Sequence, residues 1–173
     1  SADALAAAGA DVHRGSLDDL DGLREAAAAS DGVIHLAFKH DLAFSGDFQG
    51  AADADRRAVE LFGDVLAGSD RPLLIASGVL GLAPGRVATE QDGREPDPAF
   101  AAAAGAGPST RLATAQLTMS LASRGVRSSV VRLPPTCHGD GDHGFMATLV
   151  AIARAKGVAG YVGDGAPTAM AVA

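Results

Sequence analysis

The feature that most constrains this chain is the run Val33-Ile34-His35-Leu36, opened by the turn Asp31-Gly32 and continued by Ala37-Phe38. A short apolar run bounded by turn residues, after an alanine-rich stretch with helical spacing, reads as a buried parallel strand reached through a crossover helix. Two later runs repeat the plan: Pro72-Leu73-Leu74-Ile75-Ala76-Ser77-Gly78 and Arg127-Ser128-Ser129-Val130-Val131-Arg132-Leu133-Pro134. Each follows an amphipathic helical segment. Strands alternating with helices predict an α/β chain, a doubly wound and mostly parallel sheet with flanking helices. Ligands of such sheets sit beyond the carboxyl ends of the strands, so Ala37, Ser77 and Pro134 should share one edge, and any active site should lie there.

Taken in order, Asp3 to Ala8 has the pattern of a helix stopped by Gly9, and Ala10 to Arg14 reads as extended. Ser16 is the expected N-cap of a helix running to about Ala29, with Asp18 and Asp19 in its first turn and Leu17, Leu20 and Leu23 inward. Lys39 to Gly50 reads as an irregular loop carrying Phe44 and Phe48, open to a substrate-side role or to simple pinning of a surface loop. Ala51 to Ala67 is predicted helical, with Ala58, Leu61, Phe62, Val65 and Leu66 as the inner stripe. Leu80 to Pro108 is a long Gly- and Pro-rich segment with acids at Glu90, Asp92, Glu95 and Asp97, readable as a lid or as a solvated excursion. A helix from Pro108 to about Ser123, ended by Gly125, and another from Gly144 to Lys156 complete the pattern, with a short strand and turn expected over Gly157 to Gly165.

Composition removes whole classes of partner. The chain has 173 residues and a formal net charge of −7, and its lysines are Lys39 and Lys156. Nucleic-acid and anionic-membrane surfaces want clustered Lys and Arg, so neither is expected. No apolar run approaches the roughly 20 residues of a membrane helix. A single cysteine, Cys137, forbids an intrachain disulfide and suits a reducing cytoplasm, the expected location.

The order Gly15-Ser16-Leu17-Asp18-Asp19, Val33-Ile34-His35-Leu36-Ala37, Ile75-Ala76-Ser77-Gly78-Val79-Leu80-Gly81 and Val131-Arg132-Leu133-Pro134-Pro135-Thr136-Cys137-His138-Gly139 resembles the extended short-chain dehydrogenase/reductase family. More narrowly, it is similar to its atypical NAD(P)-dependent epimerase/dehydratase and 3β-hydroxysteroid dehydrogenase-like members. The resemblance covers nearly all of residues 1–165 and implies a Rossmann-like domain binding NAD or NADP. It would place Ser16 and Leu17 in the adenine-side loop, with Ser16 where the family has Asp. Leu36, Ala37 and Phe38 would lie along the cofactor ribose, and Pro134 and Thr136 against the nicotinamide. Ser77 lies in the region of the family's catalytic Ser/Thr, within one residue of alignment against Ala76. The implied activity is hydride transfer on a small carbonyl, sugar-nucleotide or sterol-like substrate. The alternatives are a non-catalytic NAD(P)-sensing or protein-interaction module, or an inactive fragment. A homodimer is left open.

Three departures qualify the resemblance. The family's glycine-rich phosphate loop would precede this chain, so residues 1–173 are expected to be a partial domain without the first two strands or a C-terminal substrate domain. Such a piece is expected to be aggregation-prone or partly molten by itself. The Tyr-x-x-x-Lys pair is not found: its tyrosine position falls on Pro108, its lysine position on Leu112, and the single tyrosine is Tyr161. After Gly163-Asp164-Gly165 the tail, Ala166 to Ala173, no longer follows the family pattern.

Other residues have plainer readings. His138-Gly139-Asp140-Gly141-Asp142-His143 holds metal-ligand types but reads as a glycine-rich turn, so no metal is expected. His35, on a buried strand, is expected to be a hydrogen-bonded core histidine. Arg111 is the cation nearest the expected site, with a solvated helix surface as its expected place. No Gly-x-Ser-x-Gly elbow surrounds Ser77, which excludes that hydrolase motif.

Overall fold

A computed structural model describes residues 2–79, 82, 88–93, 108–134, 139–141 and 144–161, with backbone alone at 108–110. Its elements are α1 (Ala2–Ala7), α2 (Leu20–Ala28), β1 (Val33–His35), α3 (His40–Phe44), α4 (Phe48–Leu66), β2 (Pro72–Gly78), α5 (Pro108–Ser120), a 3₁₀ turn (Leu121–Arg124), β3 (Arg127–Leu133) and α6 (Phe145–Lys156). The three strands form one parallel sheet in the order β1-β2-β3. The chain is therefore mixed α/β, with a small open parallel sheet and flanking helices.

Register fixes which side chains share a face. Val33 pairs with Leu73 and His35 with Ile75, and Ile75 pairs in turn with Val130. This face packs under α4 and α5, where Leu66, Leu73, Val59 and Leu121 are fully buried. Alternation sends Ile34 and Val131 to the other face. Among the described residues that face is poorly covered: Ile34 is 70% exposed, and Val131 and Leu133 are also exposed. Helix α6 buries none of its residues.

Helix ends follow their capping chemistry. Asp19 caps α2 by accepting from the Gly22 amide, and Asp47 caps α4 by accepting from Gly50. The expected N-cap, Ser16, instead accepts from the Asp18 amide in the preceding turn, because the helix begins later, at Leu20. Lys39 to Gly50 is likewise not irregular. It contains α3 and the first turn of α4, since Asp47 supplies a cap that starts the second helix at Phe48. Arg71 ties two helix ends together: one guanidinium nitrogen donates to the carbonyls of Ala27 and Ser30, and the other donates to Val65. Gly125, at φ +71°, closes the 3₁₀ turn against Gly68, where a Cβ would stand 3.1 Å from the Gly68 Cα.

Ala10 to Arg14 is exposed and pairs with no described strand. Residues 158–161 are not strand either, and the rest of that expected strand-turn, with most of Leu80 to Pro108, lies outside the described residues. Among those described, no helix is long and apolar enough to cross a membrane.

Candidate functional site

Beyond the carboxyl ends of β1 and β2 lies a cleft of about 490 Å³. Its location follows from the topology. The strands are parallel, so each hands the chain to a loop or helix on the same edge, and those connections form the walls. Phe38 and Phe44 come from the β1–α3 side, and Phe48 from the first turn of α4. Ser77, Gly78 and Val79 come from the end of β2, Arg111 and Leu112 from α5, and Leu133 and Pro134 from the end of β3. The aromatic wall is organised by Phe38, whose ring meets His40 edge-on at 5.2 Å and Phe48 at 5.8 Å between centroids.

Behind the cleft is a polar network that crosses four elements, β1, α4, α5 and β2. His35 at the end of β1 donates from Nε2 to Oδ1 of Asp55 in α4, at 2.8 Å. Both residues are buried, and His35 also packs edge-on against Phe62. Asp55 Oδ2 accepts from Arg111 Nη1 at 3.3 Å, while Arg111 Nη2 donates to the Ala76 carbonyl at 2.7 Å. The guanidinium carbon lies 4.3 Å from the Phe38 ring centroid, in cation–π contact. Arg111 is thus fixed by a carboxylate, a strand carbonyl and an aromatic face, with its side chain 21% exposed. Among the described residues nothing takes up the Ser77 hydroxyl, which sits one residue beyond that carbonyl in the wall of the cleft.

The residues singled out in the sequence separate into groups. Ser77, Phe38 and Pro134 come together in the cleft. Leu36 and Ala37 are exposed just beyond β1 and are not among the described residues that line the cleft. Leu17 is instead part of the core, 8% exposed against α2 and α4 neighbours, and Ser16 stays in its local turn. Thr136, Cys137, His138, Asp142 and His143 lie outside the described residues. Among the described residues no three metal-ligand side chains converge.

His35 is the hydrogen-bonded core histidine that its strand position implies. Arg111 departs from expectation: it turns inward rather than to solvent, because buried Asp55 supplies a counter-charge. Asp55 escaped the sequence reading, although a signal existed. It stands four residues after Ala51, three before Ala58 and seven before Phe62, all buried on one stripe of α4. An acid within an apolar stripe requires a partner.

Comparisons with known proteins give two relatives, neither with a stated activity. The chain is 41% identical over 162 residues to the uncharacterized protein C2A9.02 of Schizosaccharomyces pombe, covering 93% of this chain and 50% of that protein. It is 40% identical over 156 residues to the uncharacterized protein YLL056C of Saccharomyces cerevisiae, covering 90% of this chain and 48% of that one. The chain thus spans about half the length of these relatives. No family model and no solved structure matches it.

Proposed function

We propose that this chain is part of a Rossmann-like, NAD(P)-dependent oxidoreductase or epimerase of the extended short-chain dehydrogenase type, acting on a carbonyl substrate in the cleft. The observation that carries this reading is the convergence of Ser77, Phe38 and Pro134, from the ends of three parallel strands, on one cleft. That edge of a parallel sheet is where cofactor and substrate meet in such folds. The cofactor-side residues fit in part. Leu36 and Ala37 offer an exposed chain segment beside Phe38, whereas the Ser16 hydroxyl is spent on the Asp18 amide and Leu17 is buried.

A bound nicotinamide would supply or accept hydride. This chain's own residues would orient the partner molecule: Ser77 offers a hydroxyl at the strand end, and Phe38, Phe44 and Phe48 offer an apolar wall for its body. The protein, in the full length in which it is made, is expected to bind NADH or NADPH and to reduce carbonyl compounds, with turnover falling at least about tenfold in Ser77→Ala. No dinucleotide binding by that protein would refute the reading.

A second reading is a non-catalytic NAD(P)-sensing module. It is favoured by Pro108 and Leu112 standing where the resemblance puts Tyr and Lys. It predicts dinucleotide affinity without turnover across a broad carbonyl panel.

A further inference from the structure

We propose that the cleft takes a neutral, apolar carbonyl compound, a ketone or aldehyde with an aromatic or alicyclic body, and holds its oxygen on Arg111. This deepens the reading of the cleft as the substrate side and rests on it. It selects among the substrate classes that the sequence leaves open, against sugar nucleotides, and it also disfavours carboxylates.

The walls set the body of the ligand. Phe38, Phe44, Phe48, Leu82, Leu112 and Leu133 line most of the cleft. The polar side chains among the described lining residues are Ser77, His40 and Arg111. A sugar ring brings several hydroxyls, each of which loses water on entry and needs a partner. Three polar side chains in an otherwise apolar lining, one of them the already paired Arg111, are too few to supply them. A diphosphate would need cations or a cluster of aligned amides.

Arg111 sets the polar end, and charge decides its kind. Of five guanidinium N–H groups, one donates to Asp55 and one to the Ala76 carbonyl. Phe38 occupies one face of the group. The side chain still reaches the cleft, so an apolar ligand without an acceptor would strip water from unspent donors there. A carbonyl oxygen satisfies them. A carboxylate is the poorer match, because Asp55 already balances the guanidinium at 3.3 Å. A second anion would be desolvated beside a pair that is already neutral. The buried His35–Asp55 hydrogen bond holds that balance in place.

Ligand-observed NMR titration of the full-length protein tests this with four probes: acetophenone, ethylbenzene (nearly the same shape without the oxygen), benzoate and UDP-glucose. Acetophenone is expected to bind about tenfold tighter than each of the others. Arg111→Ala should weaken acetophenone about tenfold and leave ethylbenzene unchanged, a difference that general loss of packing would not produce. Phe44→Ala alters a wall residue that is 86% exposed, so it should fold normally and weaken both probes alike. Tighter binding of benzoate or UDP-glucose overturns the proposal. So does equal weakening of acetophenone and ethylbenzene in Arg111→Ala. If that variant fails to fold, the wild-type ranking together with Phe44→Ala decides. Acetophenone binding that depends on Arg111, in a protein with no dinucleotide affinity, would sink the oxidoreductase reading and leave this inference standing. Dinucleotide turnover with UDP-glucose preferred would do the reverse.

Discussion

Replacing Asp55 with alanine should cost the protein about 3 kcal/mol of stability, near the lower end of what breaking a buried charge pair costs. The figure follows from what the side chain holds. Asp55 accepts one hydrogen bond from His35 at 2.8 Å and one from Arg111 at 3.3 Å, and both bonds involve a charged carboxylate. Each such bond contributes about 1.5–3 kcal/mol when broken from one side. The His35 term is close to full, since that ring is buried and its N–H is left without an acceptor. The Arg111 term is smaller, because its side chain is 21% exposed and water can replace part of the lost interaction. Urea unfolding followed by far-UV circular dichroism measures the sum. With a slope of about 1–3 kcal/mol per molar, the midpoint should fall by about 1–3 M. The orphaned partners are the cause, so Asp55→Leu combined with Arg111→Met should recover part of the loss, with a coupling energy of about 1–3 kcal/mol. A loss below about 1 kcal/mol for Asp55→Ala, or a double variant as unstable as the sum of the singles, would show that the network does not hold these elements together.

Other substitutions probe the frame around the cleft. Arg71→Ala should lower stability by about 1–2 kcal/mol in the same assay, because it strips donors from the carbonyl ends of α2 and α4. Arg71→Lys should recover only a minority of that, since an ammonium cannot span both ends. Gly63→Ala sets two effects against each other. Helix propensity gains about 1 kcal/mol, but the new Cβ would meet the Leu121 Cδ2 at 2.6 Å, and Leu121 is fully buried. Overpacking of about 1–3 kcal/mol should win, so a raised Tm would refute the packing between α4 and the 3₁₀ turn. A polypeptide of these 173 residues alone leaves Ile34, Leu36, Val131 and Leu133 uncovered. It should bind ANS and self-associate, and a monomer with a sharp thermal transition and no ANS signal would contradict that.

Much of this architecture was legible from local pattern. Val33-Ile34-His35 and Pro72 to Gly78 announce themselves because each is a short apolar run between turn residues, although among the described residues only one face of the sheet is covered. Gly125 and Gly157 end their elements at positive φ, a conformation that side chains resist. Ser77 and Pro134 could be placed on one edge before any coordinates, because parallel strands all end on the same side. The same rules failed where two signals competed. Ser16 and Asp19 are both good caps, and only the helix's packed position chose Asp19. Thr114 and Thr118 read as polar, yet both are buried; the Thr118 hydroxyl returns to the Thr114 carbonyl at 2.9 Å, which removes its need for water.

The composition and spacing of the chain by themselves determined a parallel α/β order and the edge on which its strand ends gather. Periodicity reports which face of an element is inward, and chain direction reports where its ends lie. What only the tertiary structure decided is the chemistry at that edge. His35, Asp55, Ala76 and Arg111 are separated by up to 76 positions in sequence but meet within hydrogen-bond distance. No local pattern carries that information, because a charged residue's place depends on whether the fold brings it a counter-charge. Arg111 on an isolated helix belongs in water. Beside a buried Asp55 it becomes a cation in the cleft wall, since the Asp55 oxygen that His35 does not reach would otherwise be buried without a donor.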